Sequence, residues 1–340
     1  MNKSKIKIKQ EISELLKYVE QQSKPTHCLL CGKKCSSFCN SHVVPQFILK
    51  EIAESGMVYY GQSLHKEIDY LPTKTGIKNA FTFRLICREC DKKQFANYET
   101  PDMITNFDDL SYEIKKLILL EIAAKTHLSH INTKLNIHNL QVAVNPEIFS
   151  AMDVLKLPTA YQIDIEEHFD YLHSLIKFRK STNFPFEVLY SKLFDYQTSI
   201  TTQTIISYIY DINGKQIYNP YDFSNSIITR YFYIVIFPFK GKTRILYFIE
   251  KKNKYLVQCI IDQFNSLNDE EKLHFLFMSL IIYDEQFYIS PKLHEEIMQD
   301  RKLTKLYRNI EDFSKNNWHN CKEIMNFRHY NNYLLNKYSF

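Results

Sequence analysis

Along residues 2–22, Ile8, Ile12, Leu15, Leu16 and Val19 recur at three- and four-residue spacings, which predicts a short amphipathic helix ending near Pro25. The stretch SYEIKKLILLEIAAKTHLSHI, residues 111–131, keeps helical spacing but is apolar around most of its circumference, so it should be buried between other elements. A further helix is expected over 162–179, bounded by Pro158 and by TNFP. From 198 to 257 the pattern changes to runs rich in Ile, Tyr, Phe and Thr. RYFYIVIF and TRILYFIE are apolar on both alternating faces and read as central strands. DINGK and FKGKT fall between such runs as hairpin punctuation, the Asn-Gly pair suiting a turn that needs positive φ. Helices are expected again around 254–266, at 269–282 and after Pro291.

This pattern describes an α+β protein with antiparallel hairpins in its C-terminal part. Four segments follow: a cysteine-rich module with its N-terminal helix (1–110), a helical connector (111–180), an α+β domain (181–300) and a basic, aromatic tail (301–340). With 340 residues and 45% hydrophobic content, the chain can bury a sizeable core. No apolar run approaches the roughly 18 residues of a membrane span, and the first residues lack the apolar centre of a secretory signal. A cytoplasmic protein with no membrane partner is expected. Only six glycines are present, and no glycine-rich phosphate loop is found.

Charge adds one feature. From Arg301 onward, eight Lys or Arg face three acidic residues, which equals the whole-chain excess of +5. Tyr307, Trp318, Phe327, Tyr330, Tyr333 and Tyr338 are interleaved with them. Such a tail can track phosphates and stack on bases, or can be a solvated helix whose aromatics pack on the domain.

The candidate chemistry lies in the cysteines, six of whose eight fall within residues 28–90. Clustered Cys-x-x-Cys pairs in a reducing compartment read as metal ligands. Cys28-Leu-Leu-Cys31 and Cys87-Arg-Glu-Cys90 can supply four thiolates to a structural Zn²⁺. Cys35 and Cys39 are the rival ligands, or else small buried residues or free thiols, and Cys259 and Cys321 read as core. The layout is knuckle, hairpin, knuckle, helix, as in a treble-clef zinc module.

CLLCGKKC leading into Ser41-His42-Val43-Val44-Pro45, followed by LICRECD and FANYE, resembles the zinc-bound branch of the HNH (ββα-metal, His-Me finger) endonucleases. The resemblance covers residues 25–100. It implies a metal-dependent nuclease in which His42 is the general base and a hard cation, Mg²⁺ or Mn²⁺, stabilises the departing oxygen. It also implies a nucleic-acid partner, DNA ahead of RNA, and a place in bacterial phage defence or a mobile element, with the C-terminal domain available to a protein partner. Asp91 stands where the family often has Asn or His and can be a cation ligand, or a helix cap with Gln94 closing a capping box. Glu99, the second carboxylate and a further candidate for the catalytic site, lies near the negative end of a short helix, where a metal or an arginine would offset its charge, or else it is a solvated glutamate. Ser41 stands where the family often has Asp or Glu. Asn79 can orient His42 or make a turn. His127 and His130 sit on an apolar helix and read as packing histidines, and the His319-Asn320-Cys321 group has no second metal pair. The alternative is a catalytically inactive zinc-finger module that binds nucleic acid or protein. A lesser reading is a toxin or effector whose α+β domain senses a ligand.

Overall fold

The computed structural model describes residues 3–61, 74–145, 160–217, 229–284, 286–311 and 317–339, together with 147 and 219. The side chains of Arg308, Trp318, His319 and Cys321, and all of Lys315, lie outside the described set.

In chain order the described elements begin with α1 (Lys3–Gln22), β1 (Ser41–His42), α2 (Gln46–Ile52), β2 (Met57–Tyr60), β3 (Lys74–Gly76) and β4 (Thr82–Phe83). Helices α3 (Arg88–Gln94), α4 (Pro101–Thr105), α5 (Tyr112–Val144) and α6 (Ala160–Phe178) come next. The remainder comprises β5 (Phe186–Phe194), β6 (Ile200–Ile206), β7 (Phe232–Phe239), β8 (Lys242–Glu250), α7 (Gln258–Ser266), α8 (Asp269–Tyr283), β9 (Phe287–Ile289), α9 (Pro291–Gln299) and α10 (Arg301–Glu311). The α+β class expected from the periodicities is what the chain adopts.

Seven of the described strands form one sheet in the order β3-β2-β9-β6-β7-β8-β5, with every pair antiparallel. The sheet thus takes strands from both the cysteine-rich segment and the C-terminal half. Its centre shows why the apolar runs carry no alternation. On β7, Phe232, Ile234 and Ile236 enter one core, while Tyr233, Val235 and Phe237 enter the other. Both faces are covered, so both must be apolar. The β7–β8 hairpin turns on Lys240 and Gly241, both at positive φ (50° and 76°), the two-residue geometry that matches strand twist.

One face packs against α7, α8, α9 and α10, and the other against α2, α5, α6 and the cysteine-rich segment. Helix α5 runs 33 residues, well past the predicted end at 131, and buries Ile118 to Leu120, Ile122, Ala123, Leu128 and Ile131. The tail is part of the first core. Tyr307, Phe327 and Tyr333 are all buried, so none of these rings can stack on a base, and the packing reading of the tail holds for them.

Candidate functional site: a four-cysteine cluster beside a closed salt-bridge knot

The first knuckle is a tight turn in which the Cys28 amide donates to the Lys33 carbonyl (2.9 Å) and the Gly32 amide donates to the Cys28 carbonyl (2.8 Å). Gly32 takes φ +69°, a conformation that side chains resist. The Leu29 amide then donates to the Leu85 carbonyl (3.1 Å), setting this turn against the chain that enters the second knuckle. Between the knuckles, β1 and β4 pair antiparallel, with Ser41 opposite Phe83 and His42 opposite Thr82. Cys87 caps α3, its Sγ accepting from the Cys90 amide at 3.4 Å.

These contacts bring the thiol sulfurs of Cys28, Cys31, Cys87 and Cys90 within 4.8 Å of one another. Cys31 and Cys87 are 3.9 Å apart. A tetrahedron of thiolates on zinc at about 2.3 Å has edges of about 3.8 Å, so the donor set fits Zn²⁺ in number, softness and spacing. Burial works against the Cys28 thiolate, yet amides including that of Cys87 (3.3 Å) bring its pKa down to about 7. Burial and the neighbouring thiols push Cys90 up. As thiolates, four sulfurs this close would repel one another unless a cation sat among them. Among the described residues this is the one group of three or more His, Cys, Asp or Glu with metal-binding spacing. Cys35 and Cys39 are not in it. Cys35 donates to the Lys33 carbonyl (3.3 Å).

Cys39 leads instead to the second feature. Its thiol donates to Asp91 Oδ2 (3.2 Å), and burial followed by the Asp91 charge pushes its pKa up to about 11. Ser41, itself buried, donates to Asp91 Oδ1 at 2.5 Å. The third donor comes from outside the segment. Lys125 of α5, fully buried, places Nζ 3.3 Å from Asp91 Oδ1 and also on Glu99 Oε1, over the rings of Phe95 (4.7 Å) and Tyr98 (5.5 Å). Asp91 is held below its ordinary pKa despite burial, because Lys125, Ser41 and Cys39 all favour the anion. In Glu99 burial outweighs Lys125 and the carboxyl is raised. One turn earlier on α5, buried Glu121 accepts the amides of Asn97 (2.9 Å) and Tyr98 (3.1 Å) and pairs with Arg179 (3.0 Å). This fixes the chain leading to Glu99.

Of the two roles open to Asp91, the helix cap is not the one it takes. Cys87 caps α3, and Asp91 lies inside its first turn. Glu99 does have a basic partner, but it is a lysine from α5. Ser41 also makes sense, because an acidic residue there would face Asp91 in a buried position, whereas a hydroxyl donates to it.

His42 is half-buried on β1, and its Nε2 lies 2.9 Å from the Ile77 carbonyl. A carbonyl only accepts, so Nε2 carries the hydrogen and Nδ1 the lone pair of the neutral ring. Burial lowers its pKa, with Lys125 adding to the shift and the Ile77 carbonyl and Asp91 opposing it. Asn79 is exposed and donates its amide to the Gly76 carbonyl (2.9 Å), the geometry of a turn. The sequence reading missed Lys125 and Glu121. The signal was present, two charged residues inside the most apolar helical run, and charges in such a place are buried only with partners.

The cations of this segment remain at its surface. Lys33, Lys34, Lys74, Lys78, Arg84, Arg88, Lys92 and Lys93 are exposed, with Glu89 bound by Lys93 (2.8 Å). No helix among the described residues is long and apolar enough to cross a membrane. Comparisons with protein-family models, with characterised proteins and with solved structures find no match to this chain.

Proposed function

We propose that residues 25–100 form a zinc-stapled, treble-clef, HNH-like module that binds nucleic acid without cleaving it. The order of the parts supports the treble clef: a knuckle turn, the β1–β4 pair, then a second knuckle that starts a helix. The observation that carries the non-catalytic reading is Lys125. Its ammonium sits on both carboxylates that a hard cation would need. Mg²⁺ demands near-octahedral oxygen ligands at about 2.1 Å. Beside a buried ammonium, and with Asp91 already accepting from Ser41 and Cys39, these residues do not fit that ion. The partner is read from the exposed cations, which can neutralise several phosphates and make affinity fall steeply with salt, the log–log slope being about −0.9 per phosphate contacted.

Fluorescence anisotropy with labelled duplex DNA tests this. Affinity should drop strongly between low and physiological salt, and Arg88→Glu with Lys92→Glu should flatten that slope. Salt-insensitive or absent binding of DNA and RNA would sink the reading.

A second reading, the HNH-type nuclease with His42 as base, is favoured by one observation: Asp91 and Lys125 lie within electrostatic reach of His42, and Lys125 also binds Glu99. It requires Lys125 to leave its carboxylates. Plasmid cleavage that depends on Mg²⁺ or Mn²⁺ and disappears in His42→Ala would establish it over the first.

A further inference from the structure

A different group of titratable side chains lies where α5 and α6 meet the sheet, on the face of α5 turned away from the zinc module. His127 Nδ1 and His168 Nδ1 are 3.0 Å apart, and His127 Nε2 is 2.9 Å from the Tyr233 hydroxyl. Both rings are buried and stacked, His127 on Tyr171 and His168 on Tyr231. Two ring nitrogens at that distance must share one hydrogen, since two lone pairs or two N–H groups would repel. The arrangement that also satisfies Tyr233 runs one way: its O–H donates to His127 Nε2, and His127 Nδ1–H donates to His168 Nδ1. A third ring, His130, lies 5.4 Å from His168 and has its buried Nε2 without a hydrogen-bond partner.

We propose that the His127–His168 contact is an acid-sensitive latch that holds the α5–α6 pair on the sheet. Within the pair a first added proton goes to His127 Nε2, the Tyr233 hydroxyl turning to accept from it, and leaves an imidazolium buried among apolar and tyrosine rings. A second, on His168 Nδ1, would set N–H against N–H, and the surrounding charges give little relief. Lys134 on α5 is paired with Asp164 of α6 (2.6 Å), and Lys252, in the 3₁₀ turn Lys251–Val257, is paired with Glu250 of β8 (2.9 Å). Glu167 of α6 is taken by the Thr229 amide (2.5 Å) and hydroxyl (2.7 Å). Asp164 and Glu167 are occupied, Glu250 Oε1 has no hydrogen-bond partner, burial raises both Glu250 and Glu167 toward their neutral forms, and the lysines oppose an imidazolium. Burial accordingly holds all three histidines below the ordinary 6.5, aided by Lys252 at His127 and by Lys134 at His130 and His168.

The sign follows from the direction of these shifts. The folded state keeps the rings neutral while the unfolded chain protonates below about 6.5, so the stabilisation is complete above that pH and declines as the pH falls. Each histidine kept neutral raises the unfolding constant about tenfold per pH unit once the pH is below about 5.5. Because α5 also carries Lys125 and Glu121, opening the latch loosens the helix that grips the zinc module.

Urea denaturation at pH 7, 6, 5.5 and 5 tests this on wild type and His168→Asn. The asparagine can accept from His127 but does not titrate. Its stability deficit should shrink about tenfold in unfolding constant per pH unit toward pH 5, and a deficit independent of pH overturns the proposal. Hydrogen exchange, corrected for intrinsic rates, should show amides of 112–144 losing protection before those of β7 and β8, and simultaneous loss also overturns it. If His168→Asn does not fold, NMR of histidine-labelled wild type decides. The His127 and His168 rings should stay neutral in the folded protein at pH 5, and ordinary titration near 6.5 without loss of structure refutes the latch.

Discussion

Replacing Lys125 by Met is the sharpest probe of the knot between α5 and the cysteine-rich segment. Met keeps the length, the contact with the Phe95 and Tyr98 rings and a comparable helix propensity, so mainly the charge is lost. Removing one partner of a buried ion pair leaves the others uncompensated, at about 3–5 kcal/mol. Asp91 retains its bonds from Ser41 and Cys39, and Glu99, whose side chain is 34% exposed, can regain water. The lower end, about 3 kcal/mol, is therefore expected. Glu99→Gln in the same background removes one orphaned charge and should recover at least about 1 kcal/mol. The assay is equilibrium urea denaturation followed by two probes. Mn²⁺ supplies a second readout: with the ammonium gone, the paired carboxylates can take a cation, and Mn²⁺ should raise the urea midpoint of Lys125→Met but not that of wild type. A variant within about 0.5 kcal/mol of wild type, insensitive to Mn²⁺, would show that Lys125 does not hold these carboxylates together.

Three further outcomes are expected. Metal analysis should find about one zinc per chain, and Cys87→Ser or a strong chelator should unfold the 25–100 region, since metal binding there is folding energy; zinc-free protein with native circular dichroism would contradict this. Phe327→Ala, at a fully buried position in the tail, should lower stability by about 3–5 kcal/mol, and a loss below about 1 kcal/mol would mean the tail is not part of the core. Gly241→Ala, at φ +76° in the β7–β8 turn, should cost about 1 kcal/mol by urea denaturation, and a neutral result would indicate a different turn.

Much of the local architecture was legible before any coordinates. The three-to-four spacing of Ile12, Leu15 and Val19 anticipated α1, the both-faced apolar runs anticipated β7 and β8, and Lys240-Gly241 anticipated their turn. These are short-range properties, decided by side-chain period and by which residues tolerate positive φ. The pairing of the two Cys-x-x-Cys motifs was legible too, because four thiols at knuckle spacing have few other uses. Other features depend on long-range contact, which periodicity does not encode. The short strands β2 and β9 join one sheet only because each finds its partner across the chain, Tyr59 opposite Ile289. The tail was ambiguous because a basic helix with aromatics looks the same whether its rings stack on bases or fill a core. What Asp91 and Glu99 do was beyond the sequence for the same reason. A carboxylate's role depends on which cation reaches it, and the cation here, Lys125, is supplied by a helix 26 residues beyond Glu99, buried where its charge is tolerable only because those carboxylates are there.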